Sequence, residues 1–289
     1  MLRLGTCSWK YDSWNGIVYS DSKSKNYLNE YSKKFDTVEI DQWFWSLFLP
    51  SKAILPQKNV VEEYKKSVPN DFLFTVKVPN SITLTHFYKE GKEDDLKPNP
   101  FFLSLELFNE FLNSIESIKK QVGCFIFQFE YLNKQKMKSL SEFQLKIAEF
   151  YKQLNKNIPP VGIEIRNPNY LNEKYFGFLS ELSIAPVFLE GYYMPPITEV
   201  YNKFKKHIKR LAVIRLHGPN RKGIEKIAND NWNQIYINRD KELKSIVEMI
   251  KDLQSEEPMS PANISICFCK CAIFLSSVLF VPVTDVPLT

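Results

Sequence analysis

Glycine is scarce, nine in 289 residues, and no glycine-rich turn follows the first apolar run, Arg3 to Ser8. A doubly wound open sheet that holds a nucleotide phosphate at its first turn needs glycines there, so that architecture is disfavoured. Histidine is scarcer still, with three residues, which argues against a metal centre built mainly from imidazole. The five cysteines are an odd number and contain no Cys-x-x-Cys pair, so neither a disulfide framework nor a zinc ribbon is expected. Cys267, Cys269 and Cys271 recur at a spacing of two and read as reduced thiols of a strand or tail. Long apolar runs are also missing. Ile264 to Val283 approaches the length of a membrane span, but Lys270 and Pro282 interrupt it, and no membrane association is expected. The start, Met1-Leu-Arg-Leu-Gly, enters a strand with no basic segment and apolar stretch before it, which reads as a cytoplasmic protein. Nor is there a strong charge of one sign. A formal net charge of +5 permits an anionic ligand but falls short of a typical nucleic-acid binder.

What the chain does have is a repeated grammar of short apolar runs that close on a polar residue, alternating with helical patterns. Val161-Gly-Ile-Glu-Ile-Arg166 shows it best. It lies between Pro159-Pro160 and Asn167-Pro168, is too short for a helix, and carries β-branched residues at alternate positions. Period-2 alternation puts Val161, Ile163 and Ile165 on one face and Gly162, Glu164 and Arg166 on the other. The other strands expected are Arg3 to Ser8, Thr37 to Asp41, Phe72 to Val78, Val122 to Gln128, Ala185 to Glu190, Leu211 to Gly218 and Asn263 to Phe268. Helices are expected at Asn26 to Lys34, after Pro56, and at Phe101 to Lys119, Ser141 to Leu154, Tyr175 to Leu182 and Lys241 to Leu253. Pro79 to His86, Gly91 to Pro100 and Gly191 to Pro196 read as loops. Eight apolar strands with intervening helices predict parallel strands joined by right-handed crossovers, a (β/α)8 TIM barrel. A single domain over residues 1–289 follows, with 264–289 atypical because that stretch carries only Lys270 and Asp285 as charges.

A barrel gathers the C-terminal ends of its strands on one face. That geometry predicts a shared mouth for Glu39, Asp41, Lys77, Gln128, Glu164, Arg166, Glu190, Arg215 and His217. Glu39 and Glu164 are the candidate catalytic acid and base, since two carboxylates in different environments divide those roles. Lys77, His86, Arg166, Arg215 and His217 form the candidate anion-binding set, with Gln128 and Trp9 beside them. Ion pairing between these two groups is the structural alternative. No metal site is assigned, although Glu39, Asp41, Glu164 and His217 form a donor set for an oxygen-preferring Mg or Mn ion. The run Lys203 to Arg210, with Arg221-Lys222, reads as a solvated basic helix and surface near the seventh strand.

Several short motifs, in order, carry a resemblance: Gly5-Thr-Cys-Ser-Trp9 with Trp14-Asn-Gly16, Phe35-Asp-Thr-Val-Glu39-Ile, Phe72-Leu-Phe-Thr-Val-Lys77-Val-Pro with Ile82-Thr-Leu-Thr-His86, Gln128, Glu164-Ile-Arg166-Asn-Pro, and Arg215-Leu-His217-Gly218. Over roughly residues 1 to 220 the chain resembles the YecE-like family, domain of unknown function 72. The resemblance implies the barrel and no established activity. Divalent-metal phosphodiesterase barrels of the endonuclease kind are an analogy of fold alone. Members of the family usually carry an Asn pair at the eighth strand, where this chain reads Cys267-Phe-Cys-Lys270. An altered reading frame is one source of such a tail. The expected function is acid-base chemistry on a small phosphorylated or otherwise anionic ligand, with a phosphoester hydrolase as one such enzyme. The alternative is a nucleic-acid-binding protein or a metal-dependent phosphodiesterase.

Overall fold

A computed structural model describes residues 1–20, 26–88, 95–218, 220–255 and 263–268. The sheet strands are β1 (Leu2–Thr6), β2 (Thr37–Ile40), β3 (Leu73–Lys77), β4 (Val122–Gln128), β5 (Val161–Glu164), β6 (Ala185–Gly191), β7 (Leu211–Gly218) and β8 (Asn263–Phe268). They are joined in the order β1-β8-β7-β6-β5-β4-β3-β2, every neighbouring pair parallel. The result is a curled parallel sheet flanked by helices. An isolated parallel bridge between Cys7 and Glu39 links the ends of β1 and β2.

The helices are α1 (Tyr27–Ser32), α2 (Lys58–Ser67), α3 (Asn80–Thr83), α4 (Leu105–Ser114), α5 (Leu140–Gln153), α6 (Glu173–Glu181), α7 (Ile197–Phe204), α8 (Arg221–Ala228) and α9 (Asp240–Ser255). Local chemistry sets several of their starts. The Ser104, Ser139 and Asn172 side chains accept from the amides of Leu107, Glu142 and Tyr175 at 3.2 Å, each cap contributing about 1 kcal/mol. In α5 the buried positions Phe143, Ile147 and Phe150 repeat at helical spacing and face the sheet.

Alternation along β4 separates two cores. Phe125 and Phe127 pack outward on Phe108, Phe111 and Phe150. Cys124 and Ile126 point the other way, into a second cluster with Val187 and Val213. Strands buried on both faces read as nearly continuous apolar runs.

Several local expectations change. The helix expected over Phe101 to Lys119 is shorter, because Ser104 caps its start and a 3-10 turn, Glu116–Gln121, replaces its end. The loop over Pro79 to His86 contains α3, and a small hairpin, Leu47–Phe48 with Lys52–Ala53, follows β2. Lys203 to Arg210 is not one solvated helix: α7 ends at Phe204 and a 3-10 turn, Lys205–His207, leads toward β7. Four of its side chains reach neighbours, Lys205 to Asp252 (2.8 Å), Lys206 and His207 to Glu173 (2.7 and 2.8 Å), and Lys209 to the Ser180 carbonyl (2.9 Å). Because the run precedes β7, it lies at the opposite end of the strands from the expected mouth. Residues 269–289, with Cys269, Cys271 and most of the atypical tail, lie outside the described residues.

The loop after β1 is pinned from far along the chain. Trp14 Nε1 donates to the Trp232 carbonyl at 3.0 Å, and the Trp232 amide donates to Ser13 Oγ at 2.9 Å. Tyr11 and Tyr19 close around the buried Trp14 ring.

Candidate functional site

Parity along the strands brings Glu39, Gln128, Glu164 and Arg215 to one point. Arg215 Nε and Nη2 donate to the two oxygens of Glu39 at 2.8 and 2.7 Å, a bidentate pair. Its Nη1 donates to Gln128 Oε1 at 3.1 Å and also to Glu164 Oε2. Arg166 Nε donates to the other Glu164 oxygen at 3.1 Å. Glu39 and Glu164 are 0% exposed and Arg215 1%, so this charge is held almost wholly by protein partners. Burial alone would raise the Glu164 carboxyl, but Arg215, Arg166 and His217 reverse that and hold it at about 2. Burial works against the Arg215 charge too, and Glu164 and Glu39 more than offset it, raising the guanidinium well above its ordinary value.

Lys77, at the end of β3, is 8% exposed. Its Nζ lies 3.8 Å above the Phe44 ring. Burial first, and then Arg215, pull its ammonium below the ordinary range, while Glu39, Asp41 and Glu164 push back. His217, at 4% exposure, faces the Tyr192 hydroxyl through Nδ1 at 3.4 Å. Its Nε2 is buried with no hydrogen-bond partner among the described residues, a state explained by strain, a catalytic role, or a bound water or ion. Gly191 and Gly218 bring these groups side by side. Both have positive φ, and a Cβ on Gly191 would come within 2.3 Å of the Gly218 carbonyl. Tyr192 itself has φ 56°, a strained setting for a bulky residue.

The other candidates lie to the sides. Trp9 is buried edge-on against Tyr64, which is packing. His86 Nδ1 is 2.9 Å from Thr85 Oγ1, in a group with Glu130 and Lys136; burial and then Lys136 lower its affinity for a proton, and Glu130 opposes them. Glu190 does not reach the mouth. Leu189 stands opposite Arg215 in the β6–β7 ladder, so the pleat turns Glu190 outward, where it accepts from the Ile197 amide at 3.1 Å and pairs with Arg239 at 3.2 Å. Glu39, Asp41, Glu164 and His217 do not assemble as a ligand set: among the described residues no group of three or more His, Cys, Asp and Glu has metal-binding geometry. Two participants escaped the sequence reading, Phe44 under Lys77 and Tyr192 beneath Arg166, whose guanidinium lies 5.0 Å from that ring. The aromatic runs Trp43-Phe-Trp45 and Tyr192-Tyr193, each beginning within three residues of a strand's end, were the available signal.

The arrangement defines an α/β protein whose curled parallel sheet gathers a compensated, buried charge cluster at its strand ends. The pattern of the family described as "Protein of unknown function DUF72" matches residues 3–270. The chain belongs to that family. Two solved structures are similar. A DUF72 family protein from Thermotoga maritima MSB8 shares 22% identity, covering 94% of this chain and 93% of that one, with a TM-score of 0.61. Another, from Enterococcus faecalis V583, shares 21% identity over 93% and 89%, with a TM-score of 0.60. At such identities the likeness concerns fold alone. A search of curated proteins finds no match.

Proposed function

We propose that this protein is an enzyme performing acid-base chemistry on a small anionic ligand at the C-terminal mouth of a single closed (β/α)8 barrel. Support for closure comes from the Cys7–Glu39 bridge between the end strands of the sheet and from the separate inner and outer cores. One observation carries the functional reading. The network commits Arg215 to Glu39, Gln128 and Glu164, yet leaves the terminal nitrogens of Arg166, the Lys77 amine and His217 Nε2 without a hydrogen-bond partner among the described residues. These groups lie around Glu164 and Arg215, and Arg166 and Lys77 offer donors to a ligand there.

Roles follow from this. Arg166, with a side chain 24% exposed, offers its free fork to a phosphate or carboxylate. Glu39 and Glu164 keep the two guanidinium groups charged and oriented. A carboxylate held at about 2 is a weak base, so proton transfer falls to His217, whose Nε2 is buried without a hydrogen-bond partner among the described residues. Arg215 is the electrostatic centre rather than the clamp. Among the described residues no helix is long and apolar enough to cross a membrane, and we place the protein in the cytoplasm.

Isothermal calorimetry with inorganic phosphate and sugar phosphates at low salt tests the reading. Wild type binds, and Arg166→Lys weakens binding about tenfold because an ammonium cannot reproduce the planar fork. No heat from folded wild type with any of these anions would refute the assignment.

A further inference from the structure

We propose that Lys77 is a nucleophile that forms an imine with an aldehyde or ketone, so that the anionic ligand carries a carbonyl group. This rests on the anion-site reading above and deepens it. The argument starts from what Lys77 lacks. It closes β3 among carboxylates, yet forms no ion pair and no hydrogen bond among the described residues. Two of the three carboxylates around it are committed elsewhere: both oxygens of Glu39 go to Arg215, and those of Glu164 go to Arg215 and Arg166. Its one close described partner is the Phe44 ring face at 3.8 Å. A structural lysine at a buried strand end would be expected to salt-bridge. This one stands beside the fully charged Arg215, which disfavours a second positive charge. Burial and Arg215 both favour the neutral amine, which is the reactive form.

The chemistry balances without a further reagent. The Nζ lone pair attacks the carbonyl carbon, and the C=O π pair moves to oxygen, which takes up a proton as nitrogen releases one. The resulting carbinolamine loses its hydroxyl as water to give the imine. A carboxylate or phosphate on the same molecule would lie against Arg166.

The test is reductive trapping on the full chain at pH 7 with cyanoborohydride, using glyoxylate, pyruvate and the uncharged propanal as probes, followed by peptide mapping. Hydride adds to the imine carbon and nitrogen takes a proton, leaving a stable secondary amine. We expect Lys77 to be labelled by glyoxylate or pyruvate at least tenfold faster than the exposed lysines of the same sample. Lys77→Arg, whose guanidinium cannot form the imine, should lose this label. The comparison within wild type stands even if that variant does not fold. Labelling of Lys77 no faster than that of exposed lysines by every probe overturns the proposal, and if phosphate binding persists the anion site survives it. Fast labelling by propanal with no preference for the anionic probes supports the nucleophile and counts against the anion site.

Discussion

Replacing Arg215 with Met probes the centre of the site most directly. The side chain makes four hydrogen bonds, to Glu39, Gln128 and Glu164, and its loss leaves two carboxylates buried without their main counter-charge. Breaking a buried pair in this way costs about 3–5 kcal/mol. An independent scale comes from Glu164. Its fall from 4.5 to about 2 corresponds to ~3 kcal/mol at ~1.4 kcal/mol per pH unit. In wild type this contribution is present in full above about 4.5 and is lost as the pH falls toward about 2, because the unfolded chain takes up the proton first. In Arg215→Met the sign reverses. Burial, the largest influence on Glu164, then outweighs the remaining pull of Arg166 and His217, the folded Glu164 carboxyl binds its proton more tightly than the unfolded one, and its contribution is greatest below the unfolded value and fades as the pH rises. Urea denaturation from pH 7 down to pH 3 reads both effects. Wild type should weaken steadily at the acid end, and the variant should gain stability between pH 7 and pH 5. A variant whose curve runs parallel to wild type with a loss below ~1 kcal/mol would refute the charge-compensated network.

Three further outcomes follow. Glu164→Gln should flatten the acid limb of the wild-type stability curve, and a limb unchanged in slope would mean that Glu164 is not the group responsible. Gly191→Ala should destabilise by about 1–3 kcal/mol, because a Cβ there would meet the Gly218 carbonyl at a φ of +131°; thermal unfolding measures it, and an unchanged melting temperature would contradict the close approach of β6 and β7. Trp14→Phe, which deletes the donor to the Trp232 carbonyl, should cost roughly 1–3 kcal/mol in chemical denaturation by leaving a buried acceptor unsatisfied, and a neutral result would count against the clasp.

Much of this was legible in the chain. Apolar runs bounded by proline and glycine marked the sheet strands, since parallel strands buried on both faces must be apolar nearly throughout. Parity along those runs placed Glu39, Lys77, Glu164 and Arg215 together. Parity also explains the failure at Glu190: it ends an apolar run, but the β6–β7 register puts Leu189 opposite Arg215 and turns the carboxylate outward. Partner choice was not legible. Glu39 and Arg215 are 176 residues apart, and nothing local says that this arginine rather than Arg166 takes both carboxylates. The basic run at 203–210 misled only in its continuity: the helix breaks after Phe204, and Lys205, Lys206 and His207 pair with Asp252 and Glu173 on other helices.

The clasp between Trp14 and Trp232 bears on the order in which the molecule is made. Strands β2 to β7 each pair with the next in sequence, so those ladders can form as the chain emerges. β1 cannot do the same. Its ladder partner is β8, with Leu2 opposite Ile264, and the loop that follows it waits for a tryptophan 218 residues downstream. At about 5–20 residues per second, synthesis leaves Trp14 without that partner for roughly 10–40 seconds. β1 is thus made before the other seven sheet strands and is laddered only once β8 has followed, and until then β1 and the aromatic loop after it stay open to chaperones, proteases and misassociation.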